Sequence, residues 1–216
     1  SYISRKLINL NKRNIKYSLA YCPERVLPGN TIREIVYNDR IIGGYDSLSS
    51  KFGKILYKKF TKGKIHVTDS KTAEIIKLSE NAFRDTNIAF ANEISMICDQ
   101  QNIDYRKVIN LANKHPRVNI LKPGPGVGGH CIAVDPWFLI SEYKNKNSII
   151  RSSRAVNLSK TSYVTKKIIA EYNKYSKRSE NKDILLMGMT YKPGISDIRE
   201  SPSIDIVKSL LKKTKT

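Results

Sequence analysis

The spacing of apolar residues in the first part of the chain predicts alternating helices and strands. Residues 1–14 have the period of an amphipathic helix, and the apolar run Ile15–Tyr21 predicts a short strand. After a loop, the pattern predicts a helix near Thr31–Tyr37, a strand at Arg40–Gly44, a helix at Asp46–Phe60 and a strand around Lys64–Val67. This β-α-β order is typical of a parallel sheet.

A single long helix is predicted over residues 70–101. Apolar residues recur every seven positions along it and form a continuous stripe, namely Ile76, Phe83, Phe90 and Ile97. Such a stripe usually packs against another helix. If a second subunit supplies that helix, the protein is a homodimer or a larger homo-oligomer. Further helices are predicted at Asp104–Lys114 and at residues 151–178.

The carboxy-terminal part of the sequence returns to an α/β pattern. The polar run KYSKRSENKD indicates a boundary, ILLMGMTYKP (Ile184–Pro193) predicts a buried strand, and Ser203–Lys213 predicts a helix. We therefore expect an α/β protein of three parts, with the end of one α/β domain at 1–69, a helical domain at 70–178 and the start of a second α/β domain at 179–216. Both ends then lie inside domains, so we expect a piece of a longer protein.

Composition and charge narrow the classes of partner. The 216 residues carry a formal net charge of +20, which would suit nucleic-acid binding. The lysines, however, are spread along the chain, so we expect no nucleic-acid partner, although a basic surface would attract an anionic small molecule. No apolar stretch of about 18 residues occurs, so we expect no membrane partner. The three cysteines lack metal-site or disulfide spacing, which favours a cytoplasmic protein without a metal.

The segment KPGPGVGGHCIAVDP contains the strongest chemical signal. Cys131 follows four glycines (Gly124, Gly126, Gly128 and Gly129), and Asp135 lies four residues after it. Glycines let a backbone approach a ligand closely, and a cysteine beside a possible base suits covalent catalysis. The alternative is a tight turn around a small buried cysteine. GPGVGG also satisfies the dinucleotide fingerprint, but Pro125 removes a donor and HCIAVDP does not predict a helix, so we reject that interpretation.

Other polar residues are weaker candidates. Lys77 and Asn81 share a helix face and could bind a developing oxyanion, or they are a solvated lysine and an ordinary helix asparagine. Glu24 follows a predicted strand, at the edge where α/β sheets bind ligands. It could be a general base or an ion-pair partner of Arg25 or of a nearby lysine. Lys192 and Arg199 surround a turn and could bind phosphates.

These segments together resemble the nucleotide-sugar 6-dehydrogenases, the group of UDP-glucose and UDP-N-acetylhexosamine dehydrogenases. The matching segments are CPERVLPG, NDRIIGG, KLSENAFRDTNIAFANE, HPRVNILKPGPGVGGHCIAVDPWF and YKPGISDIRESPS. The resemblance implies a Rossmann-like NAD-binding domain, a central dimerisation domain and a second Rossmann-like, UDP-sugar-binding domain. It also implies oxidation of a sugar C6 alcohol to a carboxylate with two NAD⁺. Pro28 replaces a second acid found in UDP-glucose dehydrogenases, which favours UDP-N-acetyl-D-mannosamine as the substrate.

The resemblance also implies a role for each candidate residue. Cys131 would form a thiohemiacetal and then a thioester, while Lys77 and Asn81 hold the oxyanion and a water. Asp135 would assist proton transfer, and Glu24 would take part in thioester hydrolysis. Substrate contacts would come from Gly128, Gly129 and Lys192, and from Arg117, which would reach the substrate of a partner subunit. Arg199 would contact NAD.

The sequence departs from this family's pattern in one respect and leaves other functions open. The glycine fingerprint of the cofactor domain is absent from these residues, so we expect no activity from this chain alone. The product would feed bacterial surface polysaccharide synthesis. The alternatives are a UDP-glucose or UDP-N-acetylglucosamine 6-dehydrogenase, a non-catalytic remnant of such an enzyme, and a basic nucleic-acid-binding protein.

Overall fold

The computed structural model describes residues 2–10, 16–27, 29–143, 148–176 and 183–213. The chain divides into two compact units, residues 1–77 and 78–216. The helices and strands in chain order are α1 (Tyr2–Leu10), β1 (Ala20–Tyr21), α2 (Thr31–Tyr37), β2 (Arg40–Gly44), α3 (Ser47–Lys58), β3 (Ile65–Asp69), α4 (Ser70–Gln100), α5 (Tyr105–Ala112), α6 (Asp135–Glu142), α7 (Ile149–Ser176) and α8 (Pro202–Lys213). The predicted α/β class is confirmed.

The sheet of the first unit contains the predicted β-α-β crossover. β2 and β3 are parallel along their whole length and are connected through α3. Asp46 begins α3, because its carboxylate accepts the Ser49 N–H at 2.7 Å. Gly53 lets α3 approach β2 closely, since a Cβ there would lie 2.8 Å from Ile42. β1 pairs with β2 in the antiparallel direction, which the sequence did not predict.

The second unit buries polar side chains between α4 and α7. Hydrogen bonds between the two helices join Asp85 and Asn92 on α4 to polar residues of α7. Because these side chains are buried, their hydrogen bonds within the protein replace those to water. Ala82, Ala89 and Ala91 on α4 are buried as well.

The apolar stripe predicted on α4 is present but open to solvent within the chain. Phe83 is 69% exposed, and Phe90 and Ile97 are 49% and 50% exposed, while Ile76 is half-buried. The helix itself begins as expected, with the Asp69 carboxylate accepting the Thr72 N–H at 3.0 Å. That a second subunit covers the stripe stays a prediction.

The structure corrects one expectation about secondary structure. The strand predicted at Ile184–Pro193 is wrong, because residues 183–189 have no regular structure and Leu185 and Met187 are 85% and 88% exposed. A strand needs a neighbouring strand to satisfy its backbone, and the described residues provide none. The expectation that no helix opens at the last glycine of GPGVGG is confirmed, since residues 130–134 form a turn and α6 begins at Asp135.

Parts of several predictions lie outside the described residues. These parts are residues 11–15, Pro28, residues 177–182 of the polar boundary and the last residues after 213. The division into three domains at 69 and 178 stays a prediction. Among the helices that the structure describes, none is long and apolar enough to cross a membrane.

Candidate active site

The glycine loop is packed against the turn that contains Tyr191. A Cβ at Gly128 would lie 2.5 Å from the Tyr191 Cβ, and one at Gly129 would lie 2.8 Å from the tyrosine ring. A Cβ at Gly126 would lie 2.7 Å from Thr161 Oγ1. Gly126 and Gly129 also have φ angles of +151° and +83°, which favour glycine. These three glycines therefore make room for protein atoms, whereas the sequence suggested room for a ligand.

The position of Gly129 also bears on its predicted role in substrate binding. Gly129 is buried, and its N–H donates a hydrogen bond of 3.1 Å to the Arg199 carbonyl. That N–H is already satisfied by the protein. Gly124 differs from the other glycines, because the nearest atom to a Cβ there is 3.7 Å away.

Cys131 is a half-buried free thiol at the start of the turn that leads into α6. Its carbonyl accepts hydrogen bonds from Val134 N–H at 3.1 Å and from Asp135 N–H at 2.8 Å. This turn fixes the backbone of the cysteine relative to the first residue of α6. The spacing of four residues seen in the sequence therefore corresponds to a direct backbone contact.

Asn81 connects this turn to α4. Its Nδ2 donates a hydrogen bond of 2.5 Å to Asp135 Oδ2, and Asn81 is only 6% exposed. The alternative of an ordinary solvated asparagine is thereby excluded. The amide nitrogen carries a second hydrogen, which can donate to a developing oxyanion. Asn81, Asp135 and Cys131 thus form one connected group in the second unit.

Arg199, which precedes α8, forms an ion pair with Asp197. Its guanidinium donates to Asp197 through Nη2 at 2.7 Å and Nε at 3.0 Å. These bonds, with the Arg199 N–H, lower the pKa of Asp197 to about 2, and the nearby His130 adds to this effect. The same bonds raise the pKa of Arg199, and the electrostatic interactions that contribute to this rise include one with Cys131. A cation therefore stands near the thiol.

Glu24 is paired with Arg40, a partner that the sequence did not suggest. Arg40, which is 2% exposed, donates from Nη1 to Glu24 Oε1 at 2.9 Å, and the Arg25 N–H donates to the same oxygen at 2.7 Å. Partial burial alone would raise the pKa of Glu24. The bonds from Arg40 and Arg25 and the positive charge of Lys77 outweigh it, so this pKa is lowered.

The expectation that Glu24 lies at the ligand-binding edge of the sheet needs correction. Because β1 is antiparallel to β2, with Tyr21 opposite Gly43, the chain that follows β1 runs back along β2 towards its first residue. The contact with Arg40, the first residue of β2, shows the same arrangement. The edge rule for parallel strands therefore does not apply to Glu24.

The predicted residues fall into two groups. Glu24 and Lys77 interact within the first unit, and Cys131, Asn81, Asp135 and Arg199 are grouped in the second. Lys77 and Asn81 are one helical turn apart on α4. Lys192 is half-buried next to Tyr191, and Arg117 is exposed between α5 and the glycine loop. The roles assigned to all these residues stay predictions.

Three asparagines near the loop were missed by the sequence analysis. Asn87, Asn92 and Asn113 bind the backbone of residues 119–124 through their side chains. The available signal was their polar side chains, two on α4 and one, Asn113, at the end of α5. A solvated helix face has the same pattern, so only the structure separates the two.

The described residues do not fit the pyrophosphate of a dinucleotide. Such a group needs glycine N–H groups at a strand-to-helix turn. The turn from β2 to α3 contains Gly43 and Gly44, but Cβ atoms there would lie 2.5 Å from Ala73 and 2.1 Å from Ser50. The amino end of α3 is already capped by Asp46. Gly43 and Gly44 therefore allow close packing within the protein. The described residues supply no pyrophosphate site.

The fold and the site define an α/β protein in which a cysteine-bearing loop is bound to a long central helix. The chain belongs to the UDP-glucose/GDP-mannose dehydrogenase family. Residues 2–61 match its NAD binding domain, residues 71–159 its central domain and residues 185–216 its UDP binding domain. The predicted family is confirmed, and the NAD binding domain supports the predicted cofactor.

Individual relatives are similar over nearly the whole chain. The UDP-N-acetyl-D-mannosamine dehydrogenase of Methanococcus maripaludis is 50% identical over 94% of this chain and 47% of its own length. An NDP-N-acetyl-D-galactosaminuronic acid dehydrogenase of Ralstonia solanacearum is 50% identical over 90% and 45%. The structure of a UDP-D-ManNAc dehydrogenase from Pyrococcus horikoshii matches with a TM-score of 0.90 and 38% identity, over 99% of this chain and 52% of that one. The chain thus spans about half the length of these relatives.

Proposed function

We propose that this chain acts in the NAD-dependent oxidation of the C6 alcohol of UDP-N-acetyl-D-mannosamine to the carboxylate. The observation that carries the proposal is the connected group of Cys131, Asp135 and Asn81, in which the backbone of the cysteine is bonded to Asp135 and the Asp135 carboxylate to the Asn81 amide. The relatives named for this sugar support the choice of substrate. The product would supply a uronate for bacterial surface polysaccharide.

The chemical step assigned to this chain is addition of the Cys131 sulfur to the C6 aldehyde. The thiolate forms the S–C6 bond, and the π electron pair of the carbonyl moves to its oxygen, which then takes up a proton. No oxidation occurs in this addition, so it needs no cofactor. Hydride acceptance would belong to NAD⁺, for which the described residues offer no pyrophosphate site.

Neighbouring polar groups serve this addition. The second hydrogen of Asn81 Nδ2 donates to the oxyanion, and Asp135 assists the transfer of a proton to that oxygen. Lys77 assists as a cation one helical turn from Asn81. Arg199, whose electrostatic partners include Cys131, adds a second cation. Glu24, which Arg40 keeps in the ionised form, then acts as a base in thioester hydrolysis.

Substrate binding and assembly complete the proposal. Lys192, Gly128, Gly129 and Arg117 contact the UDP-sugar, Arg117 from a second copy of the chain. The exposed stripe of α4, which contains Phe83 and Phe90, is the surface that the second copy covers. Burial of aromatic side chains on this scale favours association by the hydrophobic effect.

The proposal is tested by detecting the thiohemiacetal of Cys131 with the C6 aldehyde of UDP-N-acetyl-D-mannosamine. With the aldehyde carbon-13 labelled at C6, NMR should show the thiohemiacetal carbon with the unaltered chain and with the control Cys22→Ser. Cys131→Ser should carry no adduct but still bind the sugar nucleotide. An adduct that survives in Cys131→Ser contradicts the proposed nucleophile.

A second candidate is oxidation of the corresponding N-acetylgalactosamine nucleotide, because the Ralstonia solanacearum relative is as similar as the first. Adduct formation with the aldehydes of both sugars, and of UDP-glucose and UDP-N-acetylglucosamine, decides between them. We expect the mannosamine derivative to react fastest. We also expect no NAD⁺ reduction by the 216-residue chain alone, and NADH absorbance in that assay would overturn this expectation.

A further inference from the structure

The segment that leads into the glycine loop is held by side-chain amides instead of by a neighbouring strand. Asn113 accepts from Ile120 N–H at 2.7 Å and donates to the Ile120 carbonyl at 2.9 Å. Asn87 accepts from Leu121 N–H at 3.1 Å. Asn92 Oδ1 accepts from Gly124 N–H at 2.9 Å, at the first glycine of the loop. The backbone before Cys131 is thereby fixed to α4 and α5.

Asn92 is itself the end of a buried chain of hydrogen bonds that crosses to α7. Its Nδ2 donates to Asn157 Oδ1 at 2.9 Å, and Asn157 Nδ2 donates to Asp85 Oδ1 at 2.8 Å. Arg154 Nη1 donates to the same carboxylate oxygen at 2.6 Å. All four side chains are at most 2% exposed, so water cannot replace these bonds.

The carboxylate and the backbone carbonyl of Asp85, which both accept from Asn157 Nδ2, set the direction of the bonds in this chain. A carboxylate only accepts, so Asn157 must turn its NH₂ group towards Asp85 and its oxygen towards Asn92. Asn92 must then present its NH₂ group to Asn157 and its oxygen to Gly124. Without Asp85 and Asn157, an Asn92 amide could rotate and place an NH₂ group against the Gly124 N–H, where no bond can form.

We propose that Asn157 and Asn92, oriented by Asp85, are positioning residues that fix the glycine loop and thereby the Cys131 thiol. The inference rests on the proposed function, because it concerns the placement of the proposed nucleophile. None of these residues is among those proposed to contact the substrate. Their action passes through one backbone bond, that of Gly124, into the loop that also packs on Tyr191.

The first test compares two variants of α7 in the 216-residue chain. Asn157→Leu removes the chain of bonds without touching the loop. Thr165→Val is the matched control, because Thr165 is 3% exposed and its hydroxyl bonds only within α7, to the Thr161 carbonyl. Hydrogen exchange at Gly124 N–H should become about tenfold faster in Asn157→Leu and stay unchanged in Thr165→Val. Unchanged exchange at Gly124 in a folded Asn157→Leu overturns the proposal.

A second variant covers the case in which Asn157→Leu does not fold. Asn92→Ala removes the acceptor of Gly124 N–H directly and leaves Asp85 paired with Arg154. The same acceleration at Gly124 is expected, with the amides of α4 and α7 still protected. If exchange at Gly124 stays at the unaltered rate in Asn92→Ala, the inference is wrong.

The placement of the thiol is measured with two alkylating reagents. Arg199 near Cys131 should favour anionic iodoacetate over neutral iodoacetamide, and a simple loosening of the chain would not change this ratio. The ratio at Cys131 should fall about threefold in Asn92→Ala and stay constant in Thr165→Val. A constant ratio in Asn92→Ala overturns the positioning role. Neither measurement uses substrate, so a failed adduct assay would count against the proposed function alone.

Discussion

Asn81 on α4 donates a hydrogen bond of 2.5 Å to Asp135, the first residue of α6. The Asp135 N–H in turn bonds to the Cys131 carbonyl at 2.8 Å. One buried amide therefore positions both the carboxylate and the turn that carries the thiol. Any change at Asn81 is expected to act on catalysis and on stability together, whereas a change at Asp135 can separate the two.

Asp135→Asn should keep the fold but slow the reaction of Cys131 with the aldehyde. Its amide oxygen can still accept from Asn81, so the free energy of unfolding should change by less than about 1 kcal/mol. The rate of adduct formation at Cys131 should fall about a hundredfold, because the amide cannot transfer a proton. Urea unfolding measures the stability, and carbon-13 NMR of the labelled aldehyde measures adduct formation. Asn81→Ala serves as the comparison. It should form the adduct more slowly and also lower the free energy of unfolding by about 1–3 kcal/mol.

Gly129→Ala should destabilise the chain more than Gly194→Ala. Both residues have positive φ angles, +83° and +76°, so both variants carry a similar backbone strain. Only at Gly129 would the new Cβ meet the Tyr191 ring, at 2.8 Å, whereas nothing lies within 4 Å at Gly194. In urea unfolding, we expect Gly129→Ala to lower the free energy of unfolding by about 1–3 kcal/mol more than Gly194→Ala does. Equal losses of stability in the two variants would show that the Tyr191 side chain moves aside without destabilising the fold.

Arg40→Gln should raise the pKa of Glu24 towards its ordinary value of about 4.3. The pKa of Glu24 is lowered in the folded chain, so the pair stabilises the fold above about pH 4.3 and loses this effect as the pH falls through the folded pKa. The stability difference between the unaltered chain and Arg40→Gln should therefore shrink between pH 6 and pH 3. The same substitution in a Glu24→Gln chain should show no such dependence.

Asp85→Leu should be among the most destabilising single changes in the second unit. It leaves the Arg154 guanidinium, which is 2% exposed, buried without its partner carboxylate. The expected loss is about 3–5 kcal/mol in urea unfolding. The double variant Asp85→Leu and Arg154→Met removes both charges and should recover part of that loss. A double variant less stable than Asp85→Leu alone would contradict this account.

Phe90→Glu should weaken self-association. Phe90 is 49% exposed on the apolar stripe of α4, and a carboxylate buried in a subunit interface is costly. Sedimentation velocity should show a dimer for the unaltered chain and a monomer for the variant at micromolar concentration. Leu158→Glu is the control, because Leu158 is equally apolar and 56% exposed but lies on α7. If the unaltered chain and both variants form dimers of equal stability, the stripe of α4 is not part of the interface.

The sequence determined most of the local structure and predicted the residues of the site. β2, α3, β3 and the long helix α4 follow directly from apolar spacing and from capping by Asp46 and Asp69, because these signals act between residues close in the chain. The motif around Cys131 was sufficient to predict the family. Local patterns also indicated that Asn81 and Asp135 belong to the chemistry, but not that they touch each other.

Only the tertiary structure decided which partners these groups have. The antiparallel direction of β1, the buried Arg40 beside Glu24 and the bonds from Asn92 through Asn157 to Asp85 join residues between 16 and 72 positions apart. No periodicity encodes such contacts, since a polar residue on a helix has the same pattern whether water or another helix satisfies it. Burial decides between the two cases, because a buried polar group must find its partner within the protein.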